Sequence, residues 1–488
     1  MTPSTEQLAT HLESPLGRGH TPDGAFTGAA GGAACGDLIR ISLALEPGSR
    51  EGRIADAGFD ASGCGATTAA GSAAVCLLRG ARLLDAARIG TPEIAHELGG
   101  LGTAKLHAAE LAADALHRAL GAAARTAEIA CPVPGTHART LVAMSGGVDS
   151  AVAALLVARE SDAVAVTLEL WSDPENDGDL SCCSAQAVRG ARALAHSLGL
   201  PHLSIDLRAE FRAGVVDHWL SDHAAGLTPN PCVRCNGNVR LDAMLELADR
   251  LGAGTLATGH YARVSGALGA PLLQSAADDG KDQSYVLCGL SQESLARLRF
   301  PLGALHKPRV REIAREAGLA VAGRRDSQDL CFLAGTRNSA FLARHGGLRA
   351  RPGRVLDRDG NVLGEHSGAH AYTVGQRRGL RLGTPEPRYV LATDTGANTV
   401  TVGPREELLA GAFAAREVTL HRPGASVDGV RVRAHGALHR CSVDGELSAG
   451  SHERVVVSLA QPAERTAPGQ LACLYAGDMV VGHGTVAP

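Results

Sequence analysis

The segment that most constrains the fold is Ser145-Gly-Gly-Val-Asp-Ser150, which lies between an apolar strand-like run, Thr140–Met144, and a helical stretch, Ala151–Arg159. Glycines at such a junction let the backbone approach a phosphate, and the N–H groups at a helix N-terminus point towards it. The two serine hydroxyls can add donors, and Asp149 could hold a metal ion on a nucleotide. A tight strand–helix turn with an N-cap is the plainer alternative. The segment lacks the Gly-Lys-Ser/Thr ending of a Walker A loop, which indicates a different class of phosphate loop.

Strand-like and helical segments alternate around this loop. Alternation at that spacing predicts an α/β fold with a doubly wound parallel sheet. The strand-like runs are Thr140–Met144, Ala163–Leu170, His202–Leu207 and Thr255–Gly259, and the helical stretches between them are Ala151–Arg159, Ala185–Leu198 and Leu241–Leu251.

The flanking regions have a different texture. On the N-terminal side, Leu38–Leu45 alternates like a half-buried strand, Arg53–Phe59 is its candidate partner, and two Ala- and Leu-rich stretches are helix-like, which predicts a small α+β unit. On the C-terminal side, short β-like runs separated by Gly and Pro follow an Asp-Gly hairpin signal in Arg354–Gly364. They predict two small β-rich modules, the last of them a barrel.

The length of 488 residues suits several domains. We predict a multidomain chain whose segments are an N-terminal α+β domain at 1–121, a linker at 122–138, a catalytic α/β domain at 139–343, a central β-rich domain at 344–408 and a C-terminal β-barrel at 409–488.

Composition limits the classes of function. The formal net charge is −4, so a nucleic-acid site would have to be a local arginine patch. The first residues lack the basic start and apolar core of a signal peptide, and no run of about 18 apolar residues is free of charge. We therefore expect a cytoplasmic protein without membrane contact. Twelve cysteines in a chain this long do not make a disulfide scaffold, and in a reducing compartment paired cysteines are more often catalytic or metal-binding than structural.

Three cysteines stand out. Cys232 and Cys235 form a Cys-x-x-Cys pair directly after Pro-Asn-Pro, and Cys331 lies in Asp326-Ser-Gln-Asp-Leu-Cys331-Phe. The pair could be a redox disulfide, a set of metal ligands, or a nucleophile with an auxiliary thiol. Structural zinc normally needs four ligands, usually from two such pairs, and the chain has one pair. Together, phosphate loop and thiols indicate an enzyme that activates a substrate with ATP and attacks it with sulfur.

Seven motifs in order give a family resemblance. From about residue 139 to the end, the chain resembles the bacterial tRNA-specific 2-thiouridylases, whose phosphate loop is of the N-type ATP pyrophosphatase class. That family places sulfur at position 2 of the wobble uridine in tRNAs for Glu, Gln and Lys. The motifs are Ser145-Gly-Gly-Val-Asp-Ser150, Thr228-Pro-Asn-Pro with Cys235-Asn, Ala257-Thr-Gly-His-Tyr261, Lys281-Asp-Gln-Ser284, Asp326-Ser with Cys331-Phe, Tyr372-Thr-Val-Gly-Gln-Arg-Arg-Gly379 and Ala467-Pro-Gly-Gln470.

The resemblance implies a role for each matched position. ATP, with Mg²⁺, is cleaved to AMP and pyrophosphate, Cys235 is the nucleophile, and Cys331 bears the persulfide. A cysteine desulfurase or a sulfur relay protein supplies the sulfur. The implied ATP contacts are Ala143, Met144, Ser145, Gly146, Gly147, Val148, Asp149, Ser150, Leu168 and Gly259. The implied contacts with the tRNA or its target base are Asn230, Pro231, Cys232, His260, Lys281, Asp282, Gln283, Arg433 and Gln470.

Cys232 departs from the family pattern, because many members carry Asp at that position. Three thiolates at Cys232, Cys235 and Cys331 could instead hold a 4Fe-4S cluster that leaves one iron open for sulfide. We favour this cluster route slightly over the persulfide route.

The N-terminal third resembles a NifU/IscU-type iron–sulfur scaffold over about residues 15–121. The matching segments are Ala34-Cys-Gly-Asp37, Ser62-Gly-Cys-Gly-Ala66 and Lys105-Leu-His107. Cys35, Asp37 and Cys64 fit the family's ligand positions, whereas Ala108 stands where the third cysteine is expected. His107 could substitute and complete a site for an iron–sulfur group or zinc. The alternative is a degenerate scaffold kept as a docking or structural module.

The sequence thus predicts a scaffold-like module fused to a tRNA 2-thiouridylase. One alternative is an iron–sulfur carrier whose C-terminal half only binds tRNA. Another is a different adenylating enzyme, such as an amidotransferase, which would need an ammonia source that the sequence does not reveal.

Overall fold

A computed structural model describes residues 5–31, 36–132, 138–173, 184–265, 270–326, 330–333, 335–380, 382–383, 386–434 and 436–488. The predicted ligand Cys35 lies outside the described residues, as do Cys182 and Cys183. The side chain of Asn238 is not described either.

The N-terminal domain is a three-stranded antiparallel sheet covered by helices, which confirms the predicted α+β unit. Predicted strand Leu38–Leu45 is central and alternates between exposed and buried positions. The last helix continues five residues past residue 121, into the stretch predicted to be a linker. The elements are α1 Thr5–Glu13, β1 Phe26–Gly31, β2 Leu38–Leu45, β3 Ile54–Ser62, α2 Gly65–Leu78, α3 Leu83–Ala86, α4 Thr91–Glu97 and α5 Leu106–Thr126.

The catalytic domain is built on a five-stranded parallel sheet, as the alternation predicted. Its strands are β4 Arg139–Ala143, β5 Asp162–Glu169, β6 His202–Asp206, β7 Ala253–Ala257 and β10 Leu298–Arg299, and a short hairpin, β8 Arg263–Val264 and β9 Leu273–Gln274, interrupts the series. The spatial order is β10-β7-β4-β5-β6. The chain therefore reverses its direction of winding at β4 and β7, and ligands of such sheets bind at the carboxyl ends of strands at that point.

Helices connect the strands of this sheet, and two turns are wider than an α-helix. The π-helical turns are Arg212–Val216 and Asn236–Arg240. The α-helices are α6 Val148–Glu160, α7 Ala185–Ser197, α8 Arg208–Phe211, α9 Asp217–Ala224, α10 Pro231–Cys235, α11 Leu241–Arg250, α12 Ser284–Leu287, α13 Gln292–Arg297, α14 Lys307–Glu316 and α15 Asn338–Gly346.

The central domain is a four-stranded sheet of order β12-β11-β14-β13. The predicted Asp-Gly hairpin is present: the first two strands pair antiparallel, and Gly360 in the turn has φ of 88°. The strands are β11 Gly353–Leu356, β12 Val362–His366, β13 Tyr389–Asp394 and β14 Thr399–Gly403.

The C-terminal domain is a closed six-stranded barrel, which confirms the predicted architecture. The order β15-β18-β17-β16-β19-β20 closes through pairing of β15 with β20. Strand β9 of the catalytic domain pairs with β20 through Gln274 and Met479. The barrel strands are β15 Leu409–Leu420, β16 Gly429–Arg431, β17 His439–Val443, β18 Gly450–Glu464, β19 Leu471–Ala476 and β20 Met479–Val486.

Helix α5 of the N-terminal domain packs against strand β6 of the catalytic sheet. A Cβ on Gly121 would lie 1.9 Å from the carbonyl oxygen of Ser204, so the close approach requires glycine. One edge of the Arg118 guanidinium, through Nε and Nη2, donates two hydrogen bonds of 2.9 Å to the buried carboxylate of Glu169. One apolar cluster runs through both domains. Among the described residues, no helix has the length and apolar character needed to cross a membrane.

Candidate functional site

The phosphate loop lies where the sequence predicted it, between β4 and α6. Gly146 has φ of 72°, a left-handed conformation that glycine adopts without strain. The Ser150 hydroxyl accepts from the backbone N–H of Ser145 at 3.1 Å and donates to the Gly147 carbonyl at 3.1 Å. These bonds close the loop on itself and direct it into the N-terminus of α6, where positive backbone dipoles favour an anion.

Strand β7 ends beside the same loop. A Cβ on Gly259 would lie 2.7 Å from the backbone nitrogen of Ser150, so only glycine fits this contact. Two residues later, the Tyr261 hydroxyl donates to Asp149 at 2.8 Å. Burial, followed by the charge of Asp149, raises the pKa of Tyr261 and keeps it a donor. The motifs after β4 and β7 therefore meet at the point where the winding of the sheet reverses.

An ionic network extends from the loop to the segment that bears Cys331. The ammonium of Lys307 lies 2.7 Å from both carboxylate oxygens of Asp149 and 2.9 Å from Asp326 Oδ1. Lys281 and Arg311 each contact Asp326 at 2.7 Å. Burial alone would raise the pKa of Asp326, but the hydrogen bonds from Lys281 and Lys307 lower it to about 2. Asp326 is therefore ionised in a ring of three cations.

The Cys-x-x-Cys pair occupies a short helix that begins with a side-chain cap. The Asn230 carbonyl oxygen accepts from the backbone N–H of Cys232 at 3.1 Å, and Pro231 takes the first helical position, where its missing N–H is not needed. Cys235 is 7% exposed, whereas Cys232 is half-buried. Burial raises the pKa of Cys232, and the charge of Arg240 acts in the opposite direction.

The π-helical turn Asn236–Arg240 directly follows this pair. Its neighbour in space is the other π-helical turn, since a Cβ on Gly214 would lie 2.7 Å from Val239 Cγ2. Single wide turns of this kind recur at functional sites.

Cys331 is half-buried and is followed by an aromatic anchor. The ring of Phe332 lies 5.3 Å from Trp219, 5.2 Å from Phe341 and 6.5 Å from Trp171, measured between centroids. Both tryptophans of the chain therefore pack against Phe332 and stabilise this segment.

Among the described residues, Cys232, Cys235 and Cys331 do not form a site for a single metal ion. The group with three Cys, His, Asp or Glu ligand atoms within 4.8 Å of one another is Asp37, Cys64 and His107. The thiolates of a 4Fe-4S cluster bind different irons and stand farther apart than ligands of one ion, so the predicted three-thiolate cluster stays a prediction.

The segment before Cys232 is held by the other two domains. The backbone N–H of Thr228 donates to Pro468 at 2.8 Å, and the Gln470 side chain donates to the Thr228 carbonyl at 2.7 Å. The hydroxyl of Thr228 also lies 3.5 Å from that of Thr373 in the central domain. Gln470 supports this segment here, and its predicted contact with tRNA stays a prediction.

The remaining predicted tRNA residues differ in accessibility. His260 is buried, and its Nδ1 lies within hydrogen-bonding distance of the Thr258 hydroxyl, at 2.8 Å. Burial lowers the pKa of His260 to about 3. Asp282 is also buried and accepts from Ser284 and Arg431. Gln283 accepts from the Tyr261 N–H at 2.9 Å. Of the predicted set, Lys281 is partly exposed and pairs with Asp326. The tRNA contacts of all four stay predictions.

Arg433 lies where the central domain meets the barrel. Its guanidinium comes within 3.5 Å of a Cβ position built on Gly375, a member of the Tyr372–Gly379 motif. Leu168 is half-buried at the carboxyl end of β5, one residue before Glu169. The structure therefore places these two predicted contacts at a domain junction and at the carboxyl end of a strand, respectively.

The N-terminal candidate site is preorganised. The Asp37 carboxylate accepts from the Thr67 hydroxyl at 2.6 Å and from the Cys64 thiol at 3.2 Å, and these two bonds lower its pKa. His107 Nε2 lies 3.6 Å from the same carboxylate, while Nδ1 faces the Ala104 carbonyl at 3.0 Å. A carbonyl on Nδ1 leaves the Nε2 lone pair available for a metal. Ala108 is fully buried in the core.

Sequence reasoning missed Lys307, Tyr261 as a partner of Asp149, and Arg324, whose guanidinium donates to the Gly146 carbonyl at 2.9 Å. One signal was present in the sequence. The chain has 47 Lys and Arg residues, of which three are lysines, and two of those three contact Asp326.

Four family models cover most of the chain. They are a NifU-like N terminal domain at residues 4–128, a tRNA methyl transferase HUP domain at 138–335, a tRNA methyl transferase PRC-barrel domain at 339–404 and an aminomethyltransferase beta-barrel domain at 421–486.

Individual relatives agree with these models. A tRNA-specific 2-thiouridylase MnmA of Solibacter usitatus is 39% identical and covers 71% of this chain and 98% of its own. The solved U34-tRNA thiolase NcsA of Methanococcus maripaludis, with its 4Fe-4S cluster, covers 44% of this chain and 66% of its own at 14% identity and a TM-score of 0.27. A likeness at that level transfers nothing about the site.

One relative spans both halves. The bifunctional protein NifU/MnmA of Rubrobacter xylanophilus is 41% identical over 99% of this chain and 98% of its own length. The resemblance drawn from the motifs is thereby confirmed for the N-terminal and the C-terminal parts together. The chain belongs to the bifunctional NifU/MnmA family, in which a NifU-like domain precedes a tRNA-specific 2-thiouridylase.

Proposed function

We propose that this protein is a tRNA-uridine 2-sulfurtransferase that uses ATP to convert the wobble uridine of tRNAs for Glu, Gln and Lys to 2-thiouridine. The observation that carries the proposal is the ionic link from the phosphate loop to Asp326, which precedes Cys331 in the sequence. Asp149 in the loop, Lys307 and Asp326 form a chain of contacts at 2.7–2.9 Å, and Cys331 follows five residues later.

The first step adenylates the base. The oxygen on C2 of uracil attacks the α-phosphorus of ATP, a C2–O–P bond forms, and pyrophosphate leaves. The loop N–H groups and the N-terminus of α6 stabilise the charge on the phosphates. Asp149 would hold Mg²⁺, since it presents both carboxylate oxygens to a cation already. Bound Mg²⁺ would neutralise the leaving pyrophosphate.

The second step transfers sulfur. A persulfide on Cys331 attacks C2, its outer sulfur bonds to carbon, and AMP leaves with the former C2 oxygen. The Cys235 thiolate then attacks the inner sulfur, which breaks the S–S bond and leaves 2-thiouridine and a Cys235–Cys331 disulfide. A thiol reductant restores both cysteines. The target base must be extruded to reach them, and Asn230, Pro231 and Cys232 line the approach.

None of these steps uses an iron–sulfur cluster. In the alternative route, a 4Fe-4S cluster on Cys232, Cys235 and Cys331 would supply the sulfur as cluster-bound sulfide. The N-terminal residues Asp37, Cys64 and His107 suit zinc or an iron–sulfur group, and a cysteine desulfurase or sulfur relay protein is the proposed donor of sulfur.

The test is tRNA-dependent pyrophosphate release together with mass-spectrometric detection of 2-thiouridine, with Cys235→Ala as the matched variant. We expect wild-type protein to release pyrophosphate and form 2-thiouridine, and the variant to form none. An iron–sulfur carrier would release no pyrophosphate with tRNA. An amidotransferase would release pyrophosphate with an amino-acid acceptor and without tRNA. Either result would refute the proposal.

A further inference from the structure

Lys307 is a buried ammonium that no assigned role uses. Its side chain is 10% exposed, and its nitrogen lies within 2.9 Å of three carboxylate oxygens on two separate segments. A buried ion pair persists only when it is satisfied on all sides, because an unpaired charge in this environment is strongly destabilising. The geometry of the site therefore depends on this one nitrogen.

The two carboxylates belong to different steps of the reaction. Asp149 opens helix α6 in the phosphate loop, where ATP is activated. Asp326 lies five residues before Cys331, which carries the sulfur. The backbone of Lys307 is also held in place, because Lys307 is the first residue of α14 and its N–H donates to the Asp278 carboxylate at 2.8 Å. Without the ammonium, Asp149 and Asp326 would face each other as like charges.

The identity of the residue supports a specific role. The chain has 47 Lys and Arg residues, and Lys307 and Lys281 are two of its three lysines. A compact ammonium can contact three oxygens from one point, whereas a planar guanidinium spreads its donors over a fork. The site requires a point charge.

We propose that Lys307 is a positioning residue that couples adenylation to sulfur transfer, by holding the Cys331 segment at a fixed place relative to the phosphate loop. The inference rests on the proposed function. When the bridge is lost, the adenylated uridine still forms, but the sulfur is out of line with C2. Water then attacks the adenylate, which returns uridine and AMP, so ATP is consumed without thiolation.

The experiment measures pyrophosphate released per 2-thiouridine formed, using full-length protein, tRNA, ATP and a persulfide donor. Wild-type protein should give a ratio near one, because one ATP is cleaved per sulfur. Lys307→Met should lower the rate of thiolation about 100-fold, the cost of a displacement of roughly 1 Å, and raise the ratio by about the same factor, because adenylation continues. Lys307→Gln, which keeps two N–H donors without the charge, should raise the ratio too, and Lys307→Arg should restore it in part.

The matched control is Arg311→Gln. Arg311 contacts the same oxygen of Asp326 at 2.7 Å but does not reach Asp149. It should lower thermal stability while keeping the ratio near one. If pyrophosphate and 2-thiouridine fall together in Lys307→Met and in Lys307→Gln, or if Arg311→Gln raises the ratio equally, the inference is overturned. If Lys307→Met fails to fold, Lys307→Gln decides. Failure of the proposed function is distinct, because wild-type protein would then form no 2-thiouridine.

Discussion

The two halves of this chain treat their candidate ligands differently. In the N-terminal domain, Asp37, Cys64 and His107 lie within 4.8 Å of one another, and hydrogen bonds fix the carboxylate before any metal arrives. In the catalytic half, Cys232 and Cys235 are set by a helix cap and Cys331 by an aromatic anchor, and the described residues there include no ligand set for a single metal ion. Residues that bind one ion together need preorganisation, whereas thiols that react in turn need to meet only during turnover.

Cysteine substitutions in the two halves should give the largest difference in 2-thiouridine formation. Cys235→Ala should lower 2-thiouridine formation at least about 10³-fold, because a nucleophile that acts as part of a unit is removed. Cys64→Ala should leave thiolation within about two-fold when the persulfide is supplied from a small-molecule donor, since it lies in the other site. Equal losses in both variants would show that the two sites act as one.

Zinc binding, in contrast, should depend on the N-terminal site and not on the cysteines of the catalytic half. Full-length protein titrated with zinc under reducing conditions should bind one ion at the N-terminal site. Cys64→Ala or His107→Ala should weaken that binding about 100-fold or more, because a direct ligand is lost and even a supporting partner is worth 10–100-fold. Cys232→Ala serves as the control and should leave the zinc affinity unchanged. Tight zinc binding that depends on Cys232 and Cys331 would reverse the comparison.

Sequence patterns predicted the fold better than the contacts of the site. Periodicity identifies β2, the strands of the parallel sheet and the hairpin at Gly360, because each pattern reflects local burial. The link between Asp149, Lys307 and Asp326 joins residues far apart in the chain, and no local pattern encodes it. The same holds for the closeness of Asp37 to His107 and for the packing of α5 on β6.

The interface between the halves should respond to loss of one ion pair. Arg118→Met removes both donors from Glu169, which is 6% exposed and would be left as an uncompensated buried charge. We expect the free energy of unfolding to fall by about 3 kcal/mol. Arg405→Met, which breaks an ion pair between exposed residues at 2.7 Å, is the control and should change it little. Denaturant unfolding monitored by tryptophan fluorescence would measure both.

Acid should destabilise the fold through its buried histidines. Burial lowers the pKa of His260 to about 3 and, with lesser charge effects, those of His223 and His483 to about 4. Below about pH 6.5 the unfolded chain binds protons that these folded histidines do not, so stability falls as the pH drops, by up to about 1.4 kcal/mol per pH unit for each. The lowered pKa of Asp37, due first to the Thr67 hydroxyl, keeps that carboxylate ionised over this range.

Burial also lowers the pKa of His117 on α5 and of His202 on β6 well below the usual range, so both halves should lose stability between pH 6.5 and 5. His483→Gln should make the pH dependence shallower, as unfolding in urea at several pH values would reveal. An unchanged slope would mean that His483 does not carry the effect.

The packing of α5 on β6 has a consequence for how this fusion is held together. The Gly121 contact, the Arg118 pair and the backbone bond from Cys131 to Arg250 at 3.0 Å all lie outside the peptide connection at 133–137. A chain cleaved within 133–137 by an inserted protease site should therefore still elute as one particle. The covalent fusion would then serve mainly to produce the two parts in equal numbers, because they already hold each other as the subunits of an obligate heterodimer do.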